Sequence, residues 1–129
     1  MSARAHILVV DDVAVNLQLM RVILEAEGFT TTLALSAEEA LDLAGREAFD
    51  VVLADLQMPG TDGYELTRRL KARPDTAAIP VVAVTAAAME RDRLAAEEAG
   101  CEGFIAKPID TRTLVAQLEP FLNPEARAA

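Results

Sequence analysis

Short apolar runs recur at His6–Val10, Val51–Ala54, Val81–Val84 and Phe104–Ala106. Each is too short for a helix and rich in β-branched residues, so they read as buried strands. A fifth run, Thr30 to Leu35, interleaves threonine with apolar residues and suits a less buried edge strand. Between the runs lie stretches of helical period. Val15, Leu19, Val22, Ile23 and Ala26 form one apolar stripe, and Leu114, Val115, Leu118, Phe121 and Leu122 another.

The punctuation agrees with these elements. Ser36 with Glu39, and Asp62 with Glu65, have capping-box spacing, and Asp110 sits where the last helix should begin. Gly28 follows the first helix, Pro74 lies just past the third and Gly100 follows the fourth. Five strands alternating with five helices predict an α/β, doubly wound parallel sheet covered on both faces through right-handed crossovers. Alternation leaves the strand order open. It does place a site, because open parallel sheets of this kind bind ligands at the carboxyl ends of their strands.

At those ends stand Asp11 and Asp12 after the first run, Asp55 after the third, Thr85 after the fourth and Lys107 after the fifth. Taken singly, each is an ordinary turn or cap residue. Taken together they are chemically complementary. Three converging carboxylates repel one another unless a cation compensates, and an all-oxygen ligand set suits Mg²⁺. Thr85 and Lys107 add a hydroxyl donor and a cation, the groups that hold phosphoryl oxygens. Phosphoryl transfer needs little more than a positioned nucleophile and charge stabilisation. Asp55, the lone carboxylate on the middle strand, is the natural nucleophile.

Composition narrows the field. A chain of 129 residues fits one domain, with a core expected over about residues 5–123, and Met1 to Arg4 and the Ala-rich tail after Pro124 reading as dispensable and flexible. A formal net charge of −9 and a pI near 4.5 argue against nucleic acid as a partner. One cysteine, Cys101, leaves no internal disulfide, and it reads as a small apolar filler. No cationic leader opens the chain and no apolar run approaches the ~18 residues of a membrane span, so cytoplasmic residence is the expectation. His6 reads as a strand-edge residue and Met58 as loop packing.

Val9-Val10-Asp11-Asp12, Asp55-Leu56-Gln57-Met58-Pro59-Gly60, Val84-Thr85-Ala86 and Lys107-Pro108, at their spacings, resemble the receiver domains of response regulators, typified by CheY, over almost the whole chain. Thr85-Ala86-Ala87-Ala88-Met89 and Lys107-Pro108-Ile109-Asp110 most resemble stand-alone receivers of the DivK type and receivers of hybrid histidine kinases. The resemblance implies a flavodoxin-like (βα)5 fold with strand order 2-1-3-4-5. It implies that Asp55 accepts a phosphoryl group, and that Mg²⁺ is held by Asp12, Asp55 and the backbone carbonyl of Gln57, with Asp11 direct or through water. By the same likeness Lys107 contacts the phosphoryl group across a cis Lys107-Pro108 bond. Thr85 then donates its hydroxyl to a phosphoryl oxygen and lets Phe104 rotate inward.

The implied protein is no enzyme but a two-component switch that assists its own phosphorylation and autodephosphorylation. Its donor is a histidine kinase or histidine phosphotransfer protein, and its target docks on the face of the fourth helix, fifth strand and fifth helix. Gln57 and Ala87 flank the path of attacking water and are expected to tune the phosphoryl lifetime. The sequence departs from the family at Phe104, where many relatives have tyrosine, and at Val13, which replaces a common polar residue, while Asn16 matches. Three alternatives stay open: a Mg²⁺-dependent phosphatase working through an aspartyl phosphate, a receiver excised from a hybrid histidine kinase, and a binding module that needs no phosphorylation.

Overall fold

A computed structural model describes residues 4–86 and 88–122. Its elements are β1 (His6–Val10), α1 (Ala14–Ala26), β2 (Thr30–Ala34), α2 (Ala37–Ala44), β3 (Val51–Asp55), α3 (Gly63–Ala72), β4 (Val81–Thr85), α4 (Glu90–Ala99), β5 (Gly103–Ala106) and α5 (Leu114–Leu118), the last running into a 3₁₀ turn, Glu119–Phe121. All strands are parallel, in the order β2-β1-β3-β4-β5. This is the flavodoxin-like order that the resemblance implied.

Strand alternation divides the core in two. Leu8, Val10, Val52 and Ala54 face α2, α3 and α4, where Ala40, Leu66, Leu70 and Ala96 cover them. Ile7, Val9, Leu53 and Ile105 face α1 and α5, packed by Leu24, Leu114 and Leu118. Parallel register then levels the strand ends: Val10 lies beside Ala54, Asp55 beside Val84 and Thr85 beside Ala106. That levelling brings the residues after each strand to one rim.

Several local signals act as expected. The side chains of Ser36 and Asp62 accept the backbone N–H groups of Glu39 and Glu65, satisfying donors that helix starts leave free. Gly28, at φ 92°, ends α1: its N–H donates to the Glu25 carbonyl and that of Phe29 to the Leu24 carbonyl, the paired closure that a left-handed residue permits. Arg73, held extended ahead of Pro74, ends α3.

Four expectations are corrected. Most of the stripe assigned to α1 is turned the wrong way: Leu17, Met20 and Leu24 are buried, whereas Val15, Leu19 and Val22 are 71%, 47% and 62% exposed, and of the stripe only Ile23 packs on the core. α1 is apolar on two faces, and periodicity alone does not choose between them. β5, read as buried, is an edge strand in which only Ile105 is buried. The last helix starts at Leu114, not Asp110, because the Asp110 side chain and carbonyl close a turn over Arg112 to Leu114; Pro120, without an N–H, then ends it after one turn. Arg4, placed outside the expected core, is packed against it: its guanidinium lies 4.6 Å over the Phe29 ring and its N–H donates to the Gly28 carbonyl. The tail after Pro124 lies outside the described residues. Among those described, no helix is long and apolar enough to cross a membrane.

Candidate functional site: an acidic rim with one lysine

Asp11 follows β1 and Asp55 ends β3, and both are nearly buried, at 6% and 7% exposed. Asp11 is held by three donors: the Val13 N–H at 2.9 Å to Oδ1, and the Asn16 amide and Lys107 Nζ, each at 3.2 Å, to Oδ2. Asp55 Oδ1 accepts the Gln57 N–H at 3.1 Å and Oδ2 accepts Lys107 Nζ at 3.3 Å. Asp12 is exposed beside them, and oxygens of the three carboxylates lie within 4.8 Å of one another. Lys107 is fixed from behind by its own N–H, which donates to the Thr85 carbonyl at 2.8 Å, and its bond to Pro108 is cis.

The charges do not balance. Burial, with the neighbouring Asp11 carboxylate, pushes the Asp55 pKa up against the opposing pull of the Gln57 N–H and Lys107. For Lys107, burial works against the ammonium, but Asp55 and Asp11 outweigh it and raise its pKa. Lys107 therefore stays charged at neutral pH and still leaves three carboxylates to one cation. The chemistry of this donor set, hard oxygens with net negative charge, fits a divalent cation such as Mg²⁺.

Beside the rim opens a cavity of about 220 Å³, with Asp11, Asp55 and Lys107 at one side and Leu19, Met20 and Ile109 forming an apolar wall. Thr85 is fully buried at the end of β4, and Phe104, two residues before the Ala106 that pairs with it, is half-buried against the core. Gln57 is exposed two residues beyond Asp55, and Ala87 lies outside the described residues. The fold thus brings Asp11, Asp12, Asp55 and Lys107 together and leaves Phe104 half-buried against the core.

Other singled-out residues are structural. Met58 packs in the core, and the buried Cys101 thiol lies 3.5 Å from the Thr67 hydroxyl. His6 sits at the opposite end of the sheet, stacked on Phe49 and hydrogen-bonded to Thr30, Thr32 and Glu47. What the sequence did not reveal was the contact of Asn16 with Asp11 and the apolar cavity wall, since both depend on which face of α1 turns inward.

Residues 7–119 match the family model described as the response regulator receiver domain. The chain belongs to the response-regulator receiver family. Among relatives of this receiver, the polar-differentiation response regulator DivK of Brucella abortus is 38% identical over 117 residues, 91% of this chain and 95% of DivK. The response regulator PleD of Caulobacter vibrioides is 42% identical over 114 residues, 88% of this chain but only 25% of PleD. Among solved structures, chemotaxis protein CheY4 of Vibrio cholerae aligns with TM-score 0.88 at 25% identity, covering 95% of this chain and all (100%) of CheY4. The receiver domain of sensor histidine kinase PA1611 of Pseudomonas aeruginosa, described with magnesium coordinated in its active-site cleft, aligns at TM-score 0.84 and 32% identity, covering 91% and 96%. The chain is therefore a receiver domain of two-component signalling, a family of signalling domains that bind Mg²⁺ at an acidic pocket and interact with histidine kinases or phosphotransfer proteins.

Proposed function

We propose that this receiver accepts a phosphoryl group on Asp55 from a phosphohistidine of a kinase or phosphotransfer protein, and that the acyl phosphate switches binding to a downstream protein. The carrying observation is a buried carboxylate, Asp55, hydrogen-bonded to one lysine inside a cluster of three acids. A carboxylate oxygen of Asp55 attacks phosphorus, the P–N bond breaks, and the electron pair leaves on the donor imidazole. Hydrolysis by water later releases phosphate and restores the carboxylate. Lys107 offsets the charge on the phosphoryl oxygens, and the fully buried Thr85 offers a hydroxyl at the neighbouring strand end. Asp12, Asp55 and the Gln57 carbonyl would hold Mg²⁺, with Asp11, already engaged by three donors, acting through water; the ion would neutralise charge on the transferring group.

Exposed Leu19 lines the cavity that opens on Asp55, and exposed Val15 and Val22 continue its stripe along α1, which supports docking of an apolar helix of the donor there. The output surface is the α4, β5 and α5 face, reached through Thr85 and Phe104, and Gln57 and Ala87 tune the phosphoryl lifetime. The likeness to the response regulator DivK supports a regulatory role, and the charge of −9 speaks against nucleic acid as its partner.

Incubation with acetyl phosphate and Mg²⁺ should give a hydroxylamine-labile adduct that is absent in Asp55→Asn; an equal adduct in the variant would sink the proposal. Val22→Asp should slow transfer from a phosphohistidine donor protein while leaving phosphorylation by acetyl phosphate unchanged.

A further inference from the structure

The first residue of α3 presses directly on the backbone of the acceptor. Gly63 is buried, and its N–H donates to the Leu56 carbonyl at 3.1 Å. A Cβ built there would lie 2.7 Å from Leu56 Cα and closer still to the Asp55 carbonyl oxygen. Both obstacles are main-chain atoms, which cannot swing aside as a flexible side chain can. Gly63 does not have a left-handed φ. Glycine is needed here for space alone, in contrast to Gly60, which has φ 74° and nothing within 4 Å of a built Cβ.

The contact is braced on its far side. The fully buried Thr67 hydroxyl donates to the Gly63 carbonyl at 2.7 Å and lies against the Cys101 thiol. The Asp62 side chain, accepting the Glu65 N–H, fixes the same turn. The peptide pressed by Gly63 leads straight to Gln57, whose N–H holds Asp55 Oδ1. We infer that Gly63 is a positioning residue for the phosphoacceptor: the bare backbone at the start of α3 sets where the Asp55–Gln57 segment lies, and any side chain there displaces the acceptor carboxylate and the Gln57 carbonyl. This rests on reading Asp55 as acceptor and Gln57 as metal ligand. The displacement matters because a misplacement of about 1 Å costs ~10²-fold in rate, and altered support of metal ligands costs ~10–100-fold in affinity.

The test compares wild type with Gly63→Ala, reading the Gln57 amide resonance without metal, Mg²⁺ affinity by titration, and acyl-phosphate formation from acetyl phosphate at saturating Mg²⁺. In Gly63→Ala the Gln57 resonance should move, the Mg²⁺ dissociation constant should rise about tenfold and the rate should fall about 10²-fold. Either of the first two readouts staying at its wild-type value in a folded variant overturns the inference. If Gly63→Ala does not fold, Thr67→Val and Thr76→Val decide. Both hydroxyls are fully buried and donate to α3 carbonyls, Thr67 to Gly63 beside the acceptor and Thr76 to Leu70 at the far end, at 2.6 Å. Thr67→Val should move the Gln57 resonance and weaken Mg²⁺ severalfold, with Thr76→Val within twofold of wild type; equal behaviour of the pair refutes positioning. A wild type that forms no acyl phosphate would defeat the reading of Asp55, while the metal-free Gln57 resonance would still judge Gly63.

Discussion

Replacing Asp55 with asparagine should stabilise the metal-free protein, although it removes one partner of an ion pair. Asp55 and Asp11 are nearly buried, with carboxylate oxygens within 4.8 Å of each other. At that separation, with an effective dielectric of about 20, like charges repel by roughly 3–4 kcal/mol. Lys107 Nζ, 3.3 Å from Asp55, returns about 5 kcal/mol on the same scale. The surplus of about 1–2 kcal/mol is smaller than the several kcal/mol that a carboxylate loses on leaving water. The upward direction of the Asp55 pKa agrees, burial being its largest cause. Lys107 is not orphaned by the change, because Asp11 still accepts from it at 3.2 Å. Relief of about 1–3 kcal/mol follows.

The sign with pH is fixed by the same direction. A raised pKa means that the folded state binds the Asp55 proton more tightly than the unfolded chain. Wild-type stability therefore falls as pH rises from the ordinary aspartate range through the raised value, and the cost is complete above it. The advantage of Asp55→Asn should be full above the raised value and vanish below the ordinary aspartate range. With no tryptophan and one tyrosine in the chain, urea unfolding is best followed by far-UV circular dichroism. A slope of about 1–3 kcal/mol per M places the variant's midpoint in EDTA about 1 M higher. Mg²⁺ at a hundred times its dissociation constant adds about 2.7 kcal/mol to a protein that binds it, which offsets the variant's advantage over most of its range. A lower midpoint for Asp55→Asn in EDTA, or equal gains from Mg²⁺ in both proteins, would refute the reasoning.

Lys107→Met removes the one cation between Asp11 and Asp55 and should cost about 3–5 kcal/mol without metal, read from the urea midpoint in EDTA, with acyl-phosphate formation strongly reduced. Leu24→Ala should cost about 2–5 kcal/mol, whereas Val22→Ala should stay within about 0.5 kcal/mol; similar losses would mean that α1 is oriented otherwise. Ser36→Ala should cost about 1 kcal/mol by freeing the Glu39 N–H that it caps.

The rim was legible in the sequence because parallel register does the work. Once His6–Val10, Val51–Asp55 and Gly103–Ala106 are strands of one sheet, the residues after them must meet at one end. The edge position of β5 was not legible in its own residues, since Phe104-Ile105-Ala106 is as apolar as the central strands; only the strand order implied by the resemblance placed it there. The short α5 was partly visible, because Pro120 stands inside the stripe assigned to it. The pressure of Gly63 on Asp55 is a contact between main chains, and residue types carry no mark of it beyond the glycine itself.

The misreading of α1 has a different origin. Val15, Leu19 and Val22 repeat at helical spacing as convincingly as Leu17, Met20 and Leu24, and a helix on a sheet can bury only one stripe. Periodicity assigned the core to the outer stripe because it had no rule for an apolar face left in water. Such a face gains nothing in stability, so a site-related contact is the reason to keep it. Its place supports that reading: Leu19 from the outer stripe and Met20 from the inner one both line the cavity that opens on Asp55 and Lys107. Inner-stripe substitutions should therefore be felt in unfolding, and outer-stripe substitutions in transfer from a protein donor. The outer stripe of α1, on which sequence pattern and structure disagree, is thus the surface that the proposed docking of a donor would use.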